Sequence, residues 1–171
     1  MIASPLSQAV ADAGHGAKAP RAAAAGWRIA VSYQGVPIKD GAQLKPAAAA
    51  AQPSVVVDGP GLFTLAMVDP DAPSPDAPKA RSWLHWLVSN CKPGLEVGAK
   101  GNGTVLTAYN GPTPPRGTHR YVFLVYPQSK ELKASPVEAR AKFNPAAWAA
   151  EQIGADAPAA AAFFLAAADQ R

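Results

Sequence analysis

Alternation of apolar and polar residues defines the first extended segment of the chain. In residues 27–34, WRIAVSYQ, every second side chain is large and apolar: Trp27, Ile29, Val31 and Tyr33. A period of two residues predicts a β-strand with one buried face. Residues 54–57, SVVV, predict a second strand of the same kind.

Three longer segments are apolar on both faces. They are residues 62–69 (LFTLAMVD), 83–90 (WLHWLVSN) and 119–127 (HRYVFLVYP). Runs of this kind are typical of strands in the middle of a sheet, where both faces are covered. A short strand is predicted at residues 104–109, and the proline- and glycine-rich residues 70–82 and 92–103 predict loops.

Helical signals are few and short. Residues 136–143 and 145–152 fit two helices, with Ser135 as the N-cap of the first and a proline in the first turn of each. Five alanines at residues 47–51 are flanked by prolines, which limits a helix there to about one turn.

The last apolar segment, residues 159–168 (AAAAFFLAAA), leaves two interpretations open. Alanine favours a helix, whereas the two phenylalanines and the position in the chain also suit a final strand. The fold class is a mostly β domain with a few short helices, and residues 1–171 form one domain.

Composition narrows the possible functions. The 16 Lys and Arg residues against 12 Asp and Glu give a net charge of +4 without a basic cluster, so direct nucleic-acid binding is not expected. Cys91 is the single cysteine, which excludes an internal disulfide and predicts a buried, inert thiol. We expect a cytoplasmic monomer.

The first 26 residues contain no apolar run long enough for a signal peptide or a membrane span. They are rich in alanine and poor in acidic residues, so an organelle transit peptide is one interpretation. The other, which we favour, is a surface segment that packs over the domain.

Polar residues interrupt the apolar strands. Asp69 ends residues 62–69, His85 interrupts the next strand, and His119 begins the third, where Tyr121 shares its face. If these strands are neighbours, the four side chains converge at one end of a sheet. An unpaired buried polar group costs roughly 1–3 kcal/mol, so this set needs partners or a ligand.

Several chemistries use such a set. One histidine alone would most often be a satisfied core residue. Two histidines and a carboxylate can bind a metal, although no HxH or HExxH motif is present. A Ser-His-Asp hydrolase is another possibility, but the chain has no GxSxG motif.

Anion binding is the interpretation that also accounts for the loop before His119. Imidazoles donate hydrogen bonds to phosphate, and glycines such as Gly111 and Gly117 let backbone amides approach an oxyanion. The prolines of this loop order it in advance, which lowers the entropy lost on binding.

Several motifs in a fixed order resemble one family. They are DPDAP (69–73), LHW (84–86) and GTHR (117–120), within the longer stretches YNGPTPPRGTHRYVF and FNPAAWAAEQIGADAPAAAAFF. Together they resemble the phosphatidylethanolamine-binding proteins, which include the Raf kinase inhibitor proteins and the plant flowering regulators. The resemblance runs from about residue 27 to about residue 169. It implies a central antiparallel Greek-key sheet, a smaller second sheet and short peripheral helices.

The resemblance also implies a surface pocket for phosphate-like headgroups. Its ligand-binding residues would be Asp69, Pro73, Trp83, His85, Gly111, Pro112, His119 and Tyr121. Asp71 and Arg120 would be structural supports behind the pocket. Cis peptide bonds are implied at Ala72–Pro73 and at Arg81–Ser82.

The function implied by the resemblance is regulatory, not enzymatic, and needs no cofactor. The protein would bind a small anion or a phospholipid headgroup and modulate a partner such as a kinase or a protease. One alternative is a metal-assisted enzyme that uses Asp69, His85 and His119. Another is a plant-type transcriptional co-regulator acting through 14-3-3 adaptors, although proline occupies positions 60 and 127, where those regulators carry arginines.

Overall fold

In the computed structural model, described residues 3–14, 24–155 and 157–168 form two sheets with short helices around them. The larger elements are α1 (Pro5–Ala13), β1 (Arg28–Tyr33), β2 (Val36–Pro37), β3 (Ala42–Leu44), β4 (Ser54–Asp58), β5 (Phe63–Asp69), β6 (Trp83–Cys91), β7 (Thr104–Thr107), β8 (Thr118–Pro127), α2 (Pro145–Ile153) and β9 (Ala160–Ala167). A 3-10 turn at Pro46–Ala49 precedes β4. The expectation of a mostly β fold with two sheets is confirmed.

The central sheet has the strand order β3-β9-β8-β5-β6-β7, and the smaller sheet has the order β2-β1-β4. Strands β5, β6 and β7 follow one another, and β8 returns to lie beside β5, which is the Greek-key arrangement. Neighbouring strands in the described chain are antiparallel, except that β3 pairs with β9 in parallel at one edge.

Both faces of the central sheet are covered, which explains why its strands are apolar throughout. Phe63, Phe123 and Phe164 pack on one face with residues of the smaller sheet. Leu124 and Tyr126 pack on the other face with α1 and α2. Every residue of β5 is buried as a result.

The last apolar segment of the chain is a strand and not a helix. Residues 159–168 contain a strand, β9, because its backbone pairs with β8 along eight residues. Phe163 and Phe164 lie in the two opposite cores, as an alternating strand requires. The alanines of β9 therefore follow the pairing imposed by β8 and not their own helix propensity.

The two predicted helices after β8 have different outcomes. Helix α2 is confirmed, and the side chain of Asn144 caps it by accepting from the Ala147 amide. A helix at residues 136–143 is wrong, because this segment bonds to neighbouring loops and strands instead. The Val137 amide donates to the Leu106 carbonyl, and the Arg140 carbonyl accepts from the Leu84 amide.

Helix α1 was not predicted as a helix, although Ser4 and Pro5 form a recognisable start, with Ser4 accepting from the Ser7 amide. Its apolar face buries Ala9, Val10 and Ala13 against the domain. The expectation of a surface segment packing over the domain is confirmed for this helix, and residues 15–23 lie outside the described residues.

Cys91 is buried at the end of β6, as expected. Burial raises the pKa of its thiol to about 12, so the reactive thiolate does not form near neutral pH. Within the ranges that the structure describes, the helices are too short and too polar to cross a membrane.

Gly59 and Gly61 offer a matched test of core packing. A Cβ added at Gly59 would overlap the Trp27 ring, whereas one at Gly61 meets no atom within 4 Å. We expect Gly59→Ala to lower the free energy of unfolding by about 1–3 kcal/mol, because Trp27 must move. Gly61→Ala should change it by less than about 1 kcal/mol. Denaturant unfolding measures both, and equal effects would contradict this packing.

Candidate ligand-binding site

A cavity of about 200 Å³ opens at the end of the central sheet where β5 ends and β6 begins. Asp69 pairs with Trp83 at this point, and the start of β8 lies on the other side of β5. The residues lining the cavity are Asp69, Ala72, Pro73, Ala80, Trp83, His85, Thr113, Pro115, His119 and Tyr121. The Greek-key order thus brings together polar side chains that are distant in the chain, such as Asp69 and His119, which are 50 residues apart.

Most of the predicted ligand-binding residues line this cavity, and two do not. Among the described residues, Gly111 lies beside the 3-10 turn, where a Cβ would come within 3.0 Å of the Ala49 carbonyl oxygen. Pro112 is buried and also does not line the cavity. The same loop contributes Thr113 and Pro115 instead.

Sequence reasoning missed four lining residues: Ala72, Ala80, Thr113 and Pro115. The alanines carry no chemical signal that a pattern could detect. Thr113 and Pro115 adjoin the predicted positions within the segment GPTPPRG. A pattern places that loop at the site but does not tell which of its residues face the cavity.

Asp69 and His119 form a closely bonded pair. The Nδ1 atom of His119 lies 2.7 Å from Asp69 Oδ2, and Nε2 donates to the Arg116 carbonyl at 2.9 Å. The other carboxylate oxygen of Asp69 accepts from the Asp71 amide at 2.8 Å. Because a carbonyl only accepts, Nε2 carries a proton. A second proton lies between Nδ1 and Asp69, so the pair has no net charge.

The environment favours the charged form of His119. Burial opposes the charge, but the hydrogen bond and the negative charge of Asp69 outweigh it, so the pKa of His119 is raised. Both ring nitrogens bond to protein acceptors, Asp69 and the Arg116 carbonyl. In this arrangement His119 orders the cavity and has no free N–H for a ligand.

His85 is in the opposite state. Its Nδ1 atom donates to the Asn110 carbonyl at 2.6 Å, and burial lowers the pKa of the ring. The neutral tautomer with the proton on Nδ1 leaves a lone pair on Nε2, which has no partner in the described chain. The ring packs edge-on against Tyr121, with centroids 5.2 Å apart.

The Tyr121 hydroxyl is a buried group with no hydrogen-bond partner among the described residues. Its ring stacks on Phe164 at 5.1 Å and lies parallel to the His119 ring. Burial raises the pKa of Tyr121, so the hydroxyl keeps its proton near neutral pH. Tyr121 thus lines the cavity and carries a buried donor without an acceptor in the described chain.

Asp71 and Arg120 lie behind the cavity and connect it to α1. Asp71 accepts from the backbone amide, Nε and Nη2 of Arg120 at 2.9, 2.9 and 2.7 Å. Burial would raise the pKa of Asp71, but these bonds outweigh it, and the pKa is lowered. Arg120 Nη1 also donates to Asp12 in α1 at 2.6 Å.

The peptide bonds Ala72–Pro73 and Arg81–Ser82 are both cis, as expected.

A metal site was one alternative for the polar side chains of this region. In the described ranges Asp69, His85 and His119 are not arranged as a metal-binding group. The hydrogen bonds of His119 show why, since neither of its nitrogens has a free lone pair.

Comparison with known proteins identifies the family. A profile described as phosphatidylethanolamine-binding protein matches residues 24–164. The tobacco (Nicotiana tabacum) protein named CEN-like protein 1 is 38% identical over 141 residues, covering 80% of this chain and 79% of its own length. The rice (Oryza sativa subsp. japonica) protein named MOTHER of FT and TFL1 homolog 2 is 37% identical over 132 residues, 74% of each chain. The chain therefore belongs to the phosphatidylethanolamine-binding protein family.

Solved structures agree with this assignment. A carboxypeptidase Y inhibitor, solved in complex with its cognate proteinase, superposes with a TM-score of 0.72 at 30% identity, covering 82% of this chain and 83% of that one. A phosphatidylethanolamine-binding protein from Plasmodium vivax shares the fold, with a TM-score of 0.72 at 22% identity, covering 84% and 86%.

Asp69→Asn tests the origin of the raised pKa. The substitution removes the negative charge and keeps the shape, so the pKa of His119, measured by NMR titration of its ring signals, should fall. Because the folded pKa is raised, the pair stabilises the fold fully below about pH 6.5 and loses this effect as pH rises through the folded pKa. The difference in free energy of unfolding between wild type and variant should therefore narrow as pH rises.

The control for this test is Asp76→Asn, which changes an exposed carboxylate in the following loop. It should leave the pKa of His119 unchanged. An equal His119 pKa in wild type and Asp69→Asn would contradict the role assigned to Asp69.

Proposed function

We propose that this chain is a non-enzymatic binding protein whose cavity holds a phosphate-like anion, such as a phospholipid headgroup, and which modulates a kinase or protease partner. The observation that carries the proposal is the Tyr121 hydroxyl, a buried donor at the cavity with no acceptor among the described residues. A buried polar group of this kind costs free energy that an oxyanion would offset by accepting the hydrogen bond.

The size and lining of the cavity suit a headgroup. Its volume of about 200 Å³ is below the roughly 300–1,000 Å³ that pockets for drug-sized ligands occupy, so it has no room for acyl chains. Apolar side chains, among them Pro73, Trp83 and Pro115, surround the polar groups. Apolar surroundings strengthen each hydrogen bond made inside.

The loop that follows Asn110 limits which backbone donors a ligand can reach. Pro112, Pro114 and Pro115 have no N–H, so the donors in residues 111–115 are the amides of Gly111 and Thr113. Of these two residues, Thr113 lines the cavity and Gly111 does not, so Thr113 is the one whose amide we expect to contact the ligand. Ordered prolines on either side reduce the entropy lost when this amide binds an anion.

A catalytic role has less support from the same geometry. General acid–base chemistry needs a group that can reach the substrate proton. Asp69 and His119 are engaged with protein partners through each of their polar side-chain atoms. His85 Nε2 remains open, but the neighbouring Tyr121 has a raised pKa and keeps its proton.

The partner half of the proposal is supported by family relationships. A structural neighbour at 30% identity is a proteinase inhibitor solved with the enzyme it inhibits. Two plant relatives, named CEN-like protein 1 and MOTHER of FT and TFL1 homolog 2, have names that describe no enzyme. Adding the purified chain, with and without saturating phosphate, to carboxypeptidase Y and protein kinase assays tests this half. A changed rate in either assay supports a regulatory role toward that class of enzyme, and unchanged rates in both assays would contradict this part of the proposal.

Tyr121→Phe separates binding from stability. The variant loses a donor that has no partner in the free protein, so it should be as stable as wild type or more so. Its affinity for phosphorylethanolamine, measured by calorimetry, should fall about fivefold to tenfold because one hydrogen bond to the ligand is lost.

Tyr33→Phe is the matched control. The Tyr33 hydroxyl bonds to that of Tyr109 at 2.8 Å, away from the cavity lining. Its removal should destabilise the fold by about 1 kcal/mol and leave the affinity unchanged. Parallel titrations with inorganic phosphate and with phosphatidylethanolamine vesicles distinguish the free anion from the lipid headgroup. Unchanged affinity in Tyr121→Phe would contradict the proposed site.

A further inference from the structure

The cavity lacks a fixed positive charge. Its ten lining residues include no lysine or arginine, and its two charged members, Asp69 and His119, neutralise each other. Proteins that bind phosphate dianions usually present Arg or Lys, which form charge-assisted hydrogen bonds. In the free protein, none of the described residues that line the cavity would therefore balance the negative charge of a bound dianion.

His85 adds a second difficulty for a dianion. Its Nδ1 proton is committed to the Asn110 carbonyl, and Nε2 presents a lone pair. A deprotonated phosphate oxygen also presents lone pairs, so the two atoms repel unless a proton lies between them. The Tyr121 hydroxyl supplies one donor and leaves this second contact unsatisfied.

The groups around His85 set how readily that proton is taken up. From β5, the charge of Asp69 favours a protonated ring. From β8, His119 opposes it and Tyr121 contributes a neutral hydroxyl. Arg140, which donates to the carbonyls of Leu84 and His85 at 3.0 and 3.2 Å, also opposes it.

Burial is the largest of these effects and lowers the pKa of His85 in the free protein. A negatively charged ligand against Nε2 acts in the opposite direction, because an opposite charge within hydrogen-bond distance favours the protonated ring. Ligand binding and proton binding at His85 are therefore expected to strengthen each other.

We infer that the cavity binds its anion together with one proton, which lies between His85 Nε2 and a ligand oxygen. This inference rests on the anion-binding function proposed above and specifies the ligand as a phosphate monoester in its singly protonated form. The proton comes from solvent when the free ligand is a dianion, and from the ligand's own P–OH group when it is a monoanion. No other bond forms or breaks.

Calorimetry of phosphorylethanolamine binding in two buffers of different ionisation enthalpy counts the proton directly. The second pKa of a phosphate monoester is about 6, so the monoester is mostly a dianion at a pH of about 7.5. We expect an uptake of about one proton per bound ligand at this pH. The apparent affinity should fall about tenfold per pH unit above it.

Substitution at His85 assigns the proton. His85→Gln keeps a polar side chain whose amide can donate without being charged, so proton uptake should be close to zero and the pH dependence should flatten. Glu151→Gln changes an exposed carboxylate of α2 outside the cavity lining and should leave both quantities as in wild type. NMR of unmodified protein provides a test that needs no variant, since the His85 ring signals should move to those of the protonated form when ligand binds at neutral pH.

The outcomes separate this inference from the proposed function. Saturable binding that takes up no proton and is independent of pH would overturn the inference. It would still support the proposed anion-binding function. Proton uptake that persists in His85→Gln would also overturn it, because the proton would then belong to the His119–Asp69 pair. The absence of binding at every pH tested would overturn the proposed function itself.

Discussion

The hydrogen bond between Asp69 and His119 is the interaction on which the site depends. It joins the end of β5 to the start of β8, two strands that are neighbours because the chain returns in a Greek key. Both side chains are almost fully buried. Removal of one partner from such a pair typically costs about 3–5 kcal/mol, because an uncompensated buried charge remains. The remaining hydrogen bonds of the pair order the turn at Asp71 and the loop at Arg116.

This pair also determines the chemical character of the cavity. Because its two charges cancel and both histidine nitrogens are occupied, the pair offers a ligand neither net charge nor a free N–H, and ligand contacts fall to other groups such as the Tyr121 hydroxyl and His85 Nε2. Behind the cavity, Asp71 and the partly buried Arg120 form a second ion pair that extends to Asp12 in α1. The loop that carries Pro73 is thereby connected to the helix that covers the outer face of the sheet. The cavity is thus held in shape from behind, and His85 Nε2 remains available to a ligand.

Sequence patterns predicted the central strands and the four polar side chains Asp69, His85, His119 and Tyr121 that line the cavity. Asp69, His85 and His119 are polar residues in strands that are otherwise apolar on both faces, and burial makes such residues conspicuous. The orientation of each nitrogen could not be predicted, because it depends on the carbonyls of Asn110 and Arg116, which belong to irregular loops. For the same reason the sequence placed Gly111 in the lining, where it does not lie, and missed Thr113.

Local propensity also failed where long-range hydrogen bonds decide the structure. The segment at residues 136–143 has a helical start in sequence, yet its backbone bonds to Ala80, Leu84 and Leu106. The alanine-rich β9 is extended because β8 offers an open edge along its whole length. In both cases the partner strand is distant in the chain, so a short window of sequence does not contain the deciding information.

A crystal structure of the chain grown with phosphorylethanolamine would test the proposed anion site. We expect the phosphate in the cavity, with one oxygen within hydrogen-bond distance of the Tyr121 hydroxyl and another facing His85 Nε2. The Asp69–His119 bond should be unchanged. A phosphate bound elsewhere on the surface, or a cavity that stays without ligand at saturating concentration, would contradict it.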